Sequence, residues 1–544
     1  MFDVHLPSKV WPVMVSSKLW QSPLPMSLVF SLIKHHVGDW KTFSFNHQKT
    51  QRTWVARVPL DIIIEIAEWL TSVEDVLSLS LTSTRIYATL LPVLYTSVDL
   101  GSSRMCKVTL DALLAGKPDV ARYIRRLVVR PNHVDRRRSQ LPPKHIDENW
   151  VAQSIVKLVT SGRLSKLTSF FWDGSEMPQD DIIWSTLRTC CPELRTVGTN
   201  VGPKSISVDS ELFRFNDLTG FSLTAKTLPD EWDTFLPPQP ELPDQLWDML
   251  IERSPRLEQL RISVLSQRSR RVWDTRRVVQ GRWPLLRDLE LGNCSMSGSG
   301  SSRALMEAPF MQFLAAHPAI ERLQIPSLSS FPRAIVLPPG ALPNLREFAG
   351  NAAHVKGLPN LARIKTLSLV HQPLSEKMLS LVCGTLKHMK SLTSLSIWLH
   401  LDAQTDHYAV FRTLFDSCRG LLHLELSCSD TPWDIIEFTS ALRGSRVQLA
   451  TLDLTRVECA ANEPDLLKVA TKLSTTNPSL RRMTLSYSFT TWVFLDSVAY
   501  QRIGEFLVKG KSKQGQPIIL EKHSKSGRRY LQRRPLPFQL PKWI

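Results

Sequence analysis

The sequence feature that most constrains the fold is a short apolar motif, L-x-x-L-x-L, that recurs along most of the chain. Five of its central positions lie 28, 29, 28 and 31 residues apart: Leu367, Leu395, Leu424, Leu452 and Met483. Three earlier central positions are separated by 29 and 34 residues: Leu260, Leu289 and Leu323. A near-constant period of about 30 residues is typical of stacked structural repeats rather than of one compact core.

Most copies of the motif follow a segment whose apolar residues have helical spacing, such as residues 376–388 and 407–416. A helix, a turn and a short strand would then make one unit, which buries its apolar face only by stacking on its neighbours. An ordinary doubly wound α/β domain also alternates strands and helices, but it is not expected to keep a near-constant period. The pattern predicts an α/β fold: an irregular solenoid of parallel strands plus helices over residues 101–505.

The net charge of +17 over 544 residues is unevenly distributed. From Phe506 onward the chain has ten Lys or Arg residues and a single acid, Glu521. Residues 506–544 are predicted to be a basic, mostly disordered tail, and residues 1–53 a poorly ordered arm. Nucleic-acid binding through the tail is an alternative, but only Tyr530 and Trp543 could stack on bases there, so a nucleic-acid partner is not favoured.

Motifs of the common catalytic and metal-binding classes are absent from the sequence. It contains no HExxH, GxSxG or GxGxxG pattern, and none of its eight cysteines forms a CxxC pair. The cysteines are predicted to be buried free thiols in a reducing compartment. No stretch approaches the roughly twenty apolar residues of a membrane span. The chain is therefore predicted to be a cytoplasmic or nuclear protein that is not an enzyme and uses no cofactor or metal.

Residues 54–100 form a separate helical segment before the repeats. Pro59 suits the first turn of a helix, and Ile63, Ile66 and Leu70 follow at helical spacing. Further apolar positions predict two more helices, so that three short helices occupy about forty residues, near the lower limit for a domain that folds alone.

The order of these residues resembles the F-box. The family pattern of Leu-Pro, a nearby acid, spaced aliphatics, an Asp-Leu pair and an aromatic third helix is matched by Val58-Pro59, Asp61, Ile63, Ile66, Leu70, Asp75-Val76, Leu79, Leu81 and Tyr87. Departures from the pattern are Val58, Asp61, Val76 and Thr82. The repeats are similar to the leucine-rich repeats that often follow an F-box, although the Asn or Cys expected after L-x-L is mostly absent.

This resemblance implies a substrate-recognition adaptor of a ubiquitin ligase. The helices would bind a Skp-type adaptor, and through it a cullin–RING ligase, with the contact residues Pro59, Leu60, Ile63, Ile66, Leu70, Val76 and Leu79. An unidentified protein substrate would bind the repeat surface. The alternative is a ubiquitin-independent binding scaffold in which the helices only cap the solenoid.

The strand positions between the motif leucines point away from the core, because side chains alternate along a strand. These positions give the candidate substrate-binding residues Arg261, Glu290, Gln324, Trp398, His423, Glu425 and Asp453. Trp398 is an outward aromatic residue beside polar neighbours, an arrangement that suits a contact hot spot as well as it suits packing on the next repeat.

Overall fold

The computed structural model describes residues 58–70, 73–116, 119–132, 145–202, 206–225, 242–264, 273–292, 294–296, 304–325, 335–402, 404–430, 435–456, 465–493, 496–511 and 517–530. The predicted arm, residues 1–53, lies outside these ranges. The chain divides into two compact units, residues 1–199 with 539–544 and residues 200–538. None of the described helices is long and apolar enough to cross a membrane.

Unit 1 begins with three short helices and continues with alternating strands and helices. Its helices are α1 (Leu60–Trp69), α2 (Val73–Ser80), α3 (Thr84–Tyr95), α4 (Ser103–Ala115), α5 (Glu148–Thr160) and α6 (Ile182–Cys190). Its strands are β1 (Ser97–Leu100), β2 (Arg126–Val129), β3 (Ser169–Trp172) and β4 (Thr196–Val201). Each of these strands pairs in parallel with the next one in chain order.

Unit 2 repeats the same alternation over a longer stretch. Its helices are α7 (Asp244–Ile251), α8 (Ala304–Ala315), α9 (Ala352–Val355), α10 (Glu376–Leu386), α11 (His407–Ser417), α12 (Ile435–Gly444) and α13 (Leu466–Thr476). Its strands are β5 (Gly220–Ala225), β6 (Gln259–Val264), β7 (Trp273–Asp274), β8 (Asp288–Gly292), β9 (Cys294–Ser295), β10 (Arg322–Gln324), β11 (Glu347–Ala349), β12 (Thr366–Leu374), β13 (Ser394–Leu401), β14 (His423–Asp430), β15 (Thr451–Arg456), β16 (Arg482–Val493), β17 (Asp496–Lys511) and β18 (Pro517–Tyr530).

The strands of unit 2 follow chain order in the sheet. β5, β6, β8 and β10 to β16 pair in parallel with one another in that order, while β7 and β9 form a separate two-stranded sheet. The prediction of an α/β fold with a parallel sheet is confirmed.

The central residues of the repeated motif form one row across the sheet of unit 2. Strand pairing places them side by side in the order Leu260, Leu289, Leu323, Phe348, Leu367, Leu395, Leu424, Leu452 and Met483. None of these side chains is more than 2% exposed. Because side chains alternate along a strand, the residues on either side of this row point to the opposite face. The row therefore determines which polar residues share a surface.

Trp283 links the segment before β8 to two helices through hydrogen bonds in the core. Its indole Nε1–H donates to the Leu250 carbonyl oxygen at 2.9 Å, and its backbone N–H donates to His317 Nε2 at 3.1 Å. The Nδ1–H of His317 donates to the Phe313 carbonyl oxygen at 2.6 Å. Because Nε2 accepts a hydrogen bond and Nδ1 donates one, the His317 ring is neutral. Burial favours the same form, since it lowers the pKa of His317. α7 and α8 are thus joined through one buried Trp–His pair.

Part of the segment predicted to be a disordered tail is strand instead, namely residues 506–511 at the end of β17 and residues 517–530 of β18. β17 pairs antiparallel with β16, and β18 pairs antiparallel with β17. Phe506 is 1% exposed, and a Cβ on Gly504 would meet its ring at 2.5 Å and Leu466 of α13 at 3.2 Å. The prediction followed from the basic composition of the tail and overlooked the burial of Phe506. Residues 531–544 lie outside the described part of the chain.

Candidate protein-binding surfaces

The helices α1 to α3 form a small bundle whose ends follow from local sequence. The backbone N–H of Ile63 donates to the carbonyl oxygen of Pro59 at 3.2 Å, and Asp61 lies in the first turn, where its charge favours the helix dipole. α3 begins after Ser83, whose hydroxyl oxygen accepts the Ile86 N–H at 3.2 Å. α1 and α3 therefore both begin with hydrogen bonds to residues of the bundle itself.

The bundle has a core of its own, formed by Ile63, Ala67, Val76, Ile86 and Leu90. Leu60, Leu70 and Leu79 are half-buried against this core. Ile63 is only 3% exposed and Val76 only 6%. The structure thus places these two residues inside the bundle, although they were predicted to contact a partner, because the same helical face that looked available packs on α2 and α3.

A neighbouring face of α1, about a quarter turn from the core face, is apolar and exposed. Ile62 and Ile66 are each 43% exposed, and Trp69 is 71% exposed. These three residues, the α1 ridge, are spaced four and three apart and so lie along one side of the helix. Pro59, at the start of α1, and Val73, at the start of α2, are also exposed. Of the predicted contact residues, Ile66 and Pro59 are thus at the surface.

Ile62, Trp69 and Val73 were missing from the predicted contact set. Ile62 and Trp69 are seven residues apart on one helix, a spacing that could have identified them, whereas Val73 begins the next helix. What the sequence does not reveal is which of two apolar stripes on α1 faces the bundle.

The first part of the strand surface of unit 2 contains a network of charged and polar side chains that bond to one another. Arg261 of β6 and Glu290 of β8 are neighbours in the sheet and form an ion pair at 2.9 Å. Gln324 of β10 donates its amide N–H to Glu290 Oε1 at 3.2 Å. On the same strands Arg322 forms an ion pair with Asp288. Three predicted substrate-binding residues are therefore brought together, but their polar groups are bonded within the chain.

Burial is the largest influence on the pKa values of the two carboxyl groups in this network, Asp288 and Glu290. It raises the pKa of Asp288 from 3.8 to about 6, although Arg322 acts in the opposite direction. It also raises the pKa of Glu290 against the opposing effect of Arg261. These two carboxyl groups are therefore protonated more readily than exposed carboxyl groups.

The second part of the strand surface, across β13 to β15, is more open. The polar rows on this face, taken in sheet order, are Ser394, His423 and Thr451; Ser396, Glu425 and Asp453; and Trp398, Ser427 and Thr455. Ser396 Oγ donates to Glu425 Oε2 at 3.0 Å, and His423 Nδ1 lies 2.8 Å from Thr451 Oγ1. Glu425 and His423 are half-buried, whereas Asp453 is 8% exposed. Burial lowers the pKa of His423, so its neutral form is favoured.

Trp398 lies at the end of these rows and is half-buried. Its indole Nε1–H is buried and has no hydrogen-bond partner within the described part of the chain. A buried N–H without a partner costs about 1–3 kcal/mol. The part of the ring that is exposed, rather than the buried N–H, is what suits Trp398 to a contact role.

The described cysteines are free thiols, and all of them except Cys190 are buried. Cys459 lies outside the described residues. Burial raises the pKa of Cys418 to about 12, so its nucleophilic thiolate is strongly disfavoured. Within the described ranges, no group of three or more His, Cys, Asp or Glu side chains could hold a metal ion.

A scan against protein-family models gives no match for this chain, and no curated protein matches it either.

Proposed function

We propose that this protein is a substrate-recognition adaptor of a Skp–cullin–RING ubiquitin ligase. The α1 ridge, with Pro59 and Val73, binds the Skp-type adaptor, and the strand surface of unit 2 binds a protein substrate. The F-box-like order of residues in the sequence is one support for this proposal. The other is that the leucine-rich-repeat-like units stack their strands in a single register.

The observation that carries the proposal is the exposed α1 ridge on a bundle that already has its own core. An exposed Trp beside two exposed Ile side chains on an amphipathic helix suits the helix-in-groove mode of recognition. Because Ile63 and Ala67 form the packing face of α1, the exposed ridge beside them is not needed for the packing of the three helices.

The mechanism is proximity rather than chemistry. A substrate held on the rows around Glu425 and Trp398 would be tethered to the same assembly as the ubiquitin-charged enzyme. Tethering raises the effective concentration of a substrate lysine near the thioester, to the millimolar range for a short flexible connection. No residue of this chain is required to take part in the transfer step.

Replacing Trp69 with Ala is expected to weaken binding of a purified Skp-type adaptor by about thirtyfold, since a central aromatic contact contributes about 2 kcal/mol. Ile66→Asp is expected to weaken binding further, because it places a charge in an apolar groove. Both affinities are measured by isothermal titration of the full chain. Unfolding midpoints should stay unchanged, as both side chains are exposed.

The matched control is Ile436→Asp, which changes a 50% exposed isoleucine on α12 in the other unit. It should leave adaptor affinity within about twofold of wild type. Equal losses for Ile66→Asp and Ile436→Asp would contradict the proposal, as would a wild-type chain that does not bind the adaptor. Ile63→Asp is unsuitable as a contact test, because a charge in the core is expected to unfold the bundle.

A second function, a binding scaffold independent of ubiquitin, is favoured by one observation. The bundle leads directly into the first strand: α3 ends at Tyr95, β1 begins at Ser97, and Tyr95 is 2% exposed. This arrangement suits a helical cap on the first repeat. In that case a chain lacking residues 58–95 would lose stability, whereas the ridge variants would bind all partners like wild type.

A further inference from the structure

The helix side of unit 2 contains an open groove between α12 and α13. Its volume is about 440 Å³, and it is lined by Arg443, Leu467, Lys468, Thr471, Lys472 and Thr475. Three of these residues are cations and none is an acid. The groove lies on the side of the sheet opposite the polar rows of β13 to β15, because helices and outward strand positions occupy different faces.

The three cations form no ion pair within the part of the chain that the structure describes. The acids on the same two helices are engaged elsewhere. Glu437 of α12 contacts His407 Nδ1 at 3.1 Å, and Asp465 caps α13 by accepting the Leu467 N–H at 3.2 Å. The positive charge of the groove is therefore not neutralised from within its own walls.

The spacing of the two lysines adds a local cost. Lys468 and Lys472 are four residues apart on one helix, where like charges destabilise the helix. The threonines do not add free donors, because Thr471 Oγ donates to the Leu467 carbonyl oxygen and Thr475 Oγ to that of Thr471, each at 2.8 Å. Cationic side chains are thus the groups that an incoming anion would meet.

We propose that this groove binds an acidic, Asp/Glu-rich segment of a partner protein. Carboxylates would bridge Arg443 and the two lysines and relieve their mutual repulsion. Leu467 is 38% exposed and offers an apolar contact for side-chain methylenes. The small volume of the groove fits a few side chains, and its lining has no aromatic residue on which nucleic-acid bases could stack. The site does not depend on adaptor binding.

The test measures fluorescence anisotropy of a labelled peptide of alternating Asp and Glu, with an Asn/Gln peptide of the same length, against the full chain. The wild-type protein should bind only the acidic peptide, and more weakly as salt increases. Lys468→Glu/Lys472→Glu should reduce affinity by at least about tenfold. Lys468→Gln/Lys472→Gln removes the repulsion between the two lysines without reversing their charge. It should reduce peptide affinity by a smaller factor, and it serves as the variant that keeps the fold.

The matched control is Lys387→Glu/Lys390→Glu, which makes the same change in net charge at two exposed lysines after α10. It should leave affinity within about twofold of wild type. Equal losses for the two charge-reversed proteins would overturn the proposal by making the attraction nonspecific. No binding of the acidic peptide by wild type would also overturn it, as would tighter, groove-dependent binding of a single-stranded RNA oligomer.

Discussion

Trp283→Ala is expected to lower the free energy of unfolding of this protein by about 3–5 kcal/mol, the usual cost of removing a large aromatic side chain from a core. Trp283 is 0% exposed, and its ring lies 6.2 Å from that of Phe313. The substitution also leaves the Leu250 carbonyl oxygen without its donor. Urea unfolding followed by far-ultraviolet circular dichroism measures the change, with a lower midpoint as the expected result.

Two variants separate the parts of this effect. Trp283→Phe keeps most of the ring volume but loses the Nε1–H donor, so a smaller loss of about 1–3 kcal/mol is expected. Leu285→Ala is the control, since this neighbouring side chain is 44% exposed and its removal should cost no more than about 0.5 kcal/mol. A control as damaging as Trp283→Ala would show that the loss does not come from the buried ring.

Asp288→Asn is expected to change how stability depends on pH. The folded-state pKa of Asp288 is raised from 3.8 to about 6, chiefly by burial, so the folded state favours the protonated carboxyl group. Its stabilising contribution is therefore complete below about pH 4 and is lost as pH rises through about 6. A shift of about two pKa units corresponds to about 2–3 kcal/mol.

Asparagine stays neutral throughout, so stability of the variant relative to wild type should increase by about that amount between pH 4 and pH 7 and then level off. Urea unfolding at several pH values measures this difference. Arg322→Leu removes the cation that lowers the pKa of Asp288. The stability of this variant should therefore keep falling up to a higher pH than the stability of the wild type does. Parallel pH curves for wild type and Asp288→Asn would contradict the assignment.

The parallel sheet could be predicted because the motif carries two signals at once. Leucines such as Leu395 and Leu424 recur at a near-constant period, and polar residues alternate with them within each copy. The period places each strand beside the next, and the alternation assigns the faces. The pairing of Leu395 with Leu424 in the sheet follows from those two properties alone.

The buried side of α1 could not be predicted in the same way. Ile62 and Ile63 are adjacent isoleucines, and each belongs to an apolar stripe with helical spacing. Only the position of α2 and α3 decides that Ile63 is in the core and Ile62 at the surface. The choice depends on contacts between helices rather than on any property of α1.

The network around Glu290 escaped prediction for a related reason. Arg261 and Glu290 are 29 residues apart, and both were predicted to lie on the outward face. Whether two such residues bind a partner or each other depends on side-chain geometry across neighbouring strands. In the structure they bind each other, so the more open rows near Glu425 are the better candidates for contact with a substrate.

The order of strands in unit 2 has an evolutionary consequence. Since each parallel strand of the large sheet bonds only to the strands of the preceding and the following repeat, duplication or loss of one whole repeat would lengthen or shorten the surface without altering any other pairing. Such architectures can change the length of their binding face by one repeat at a time, while the remaining repeats keep their contacts.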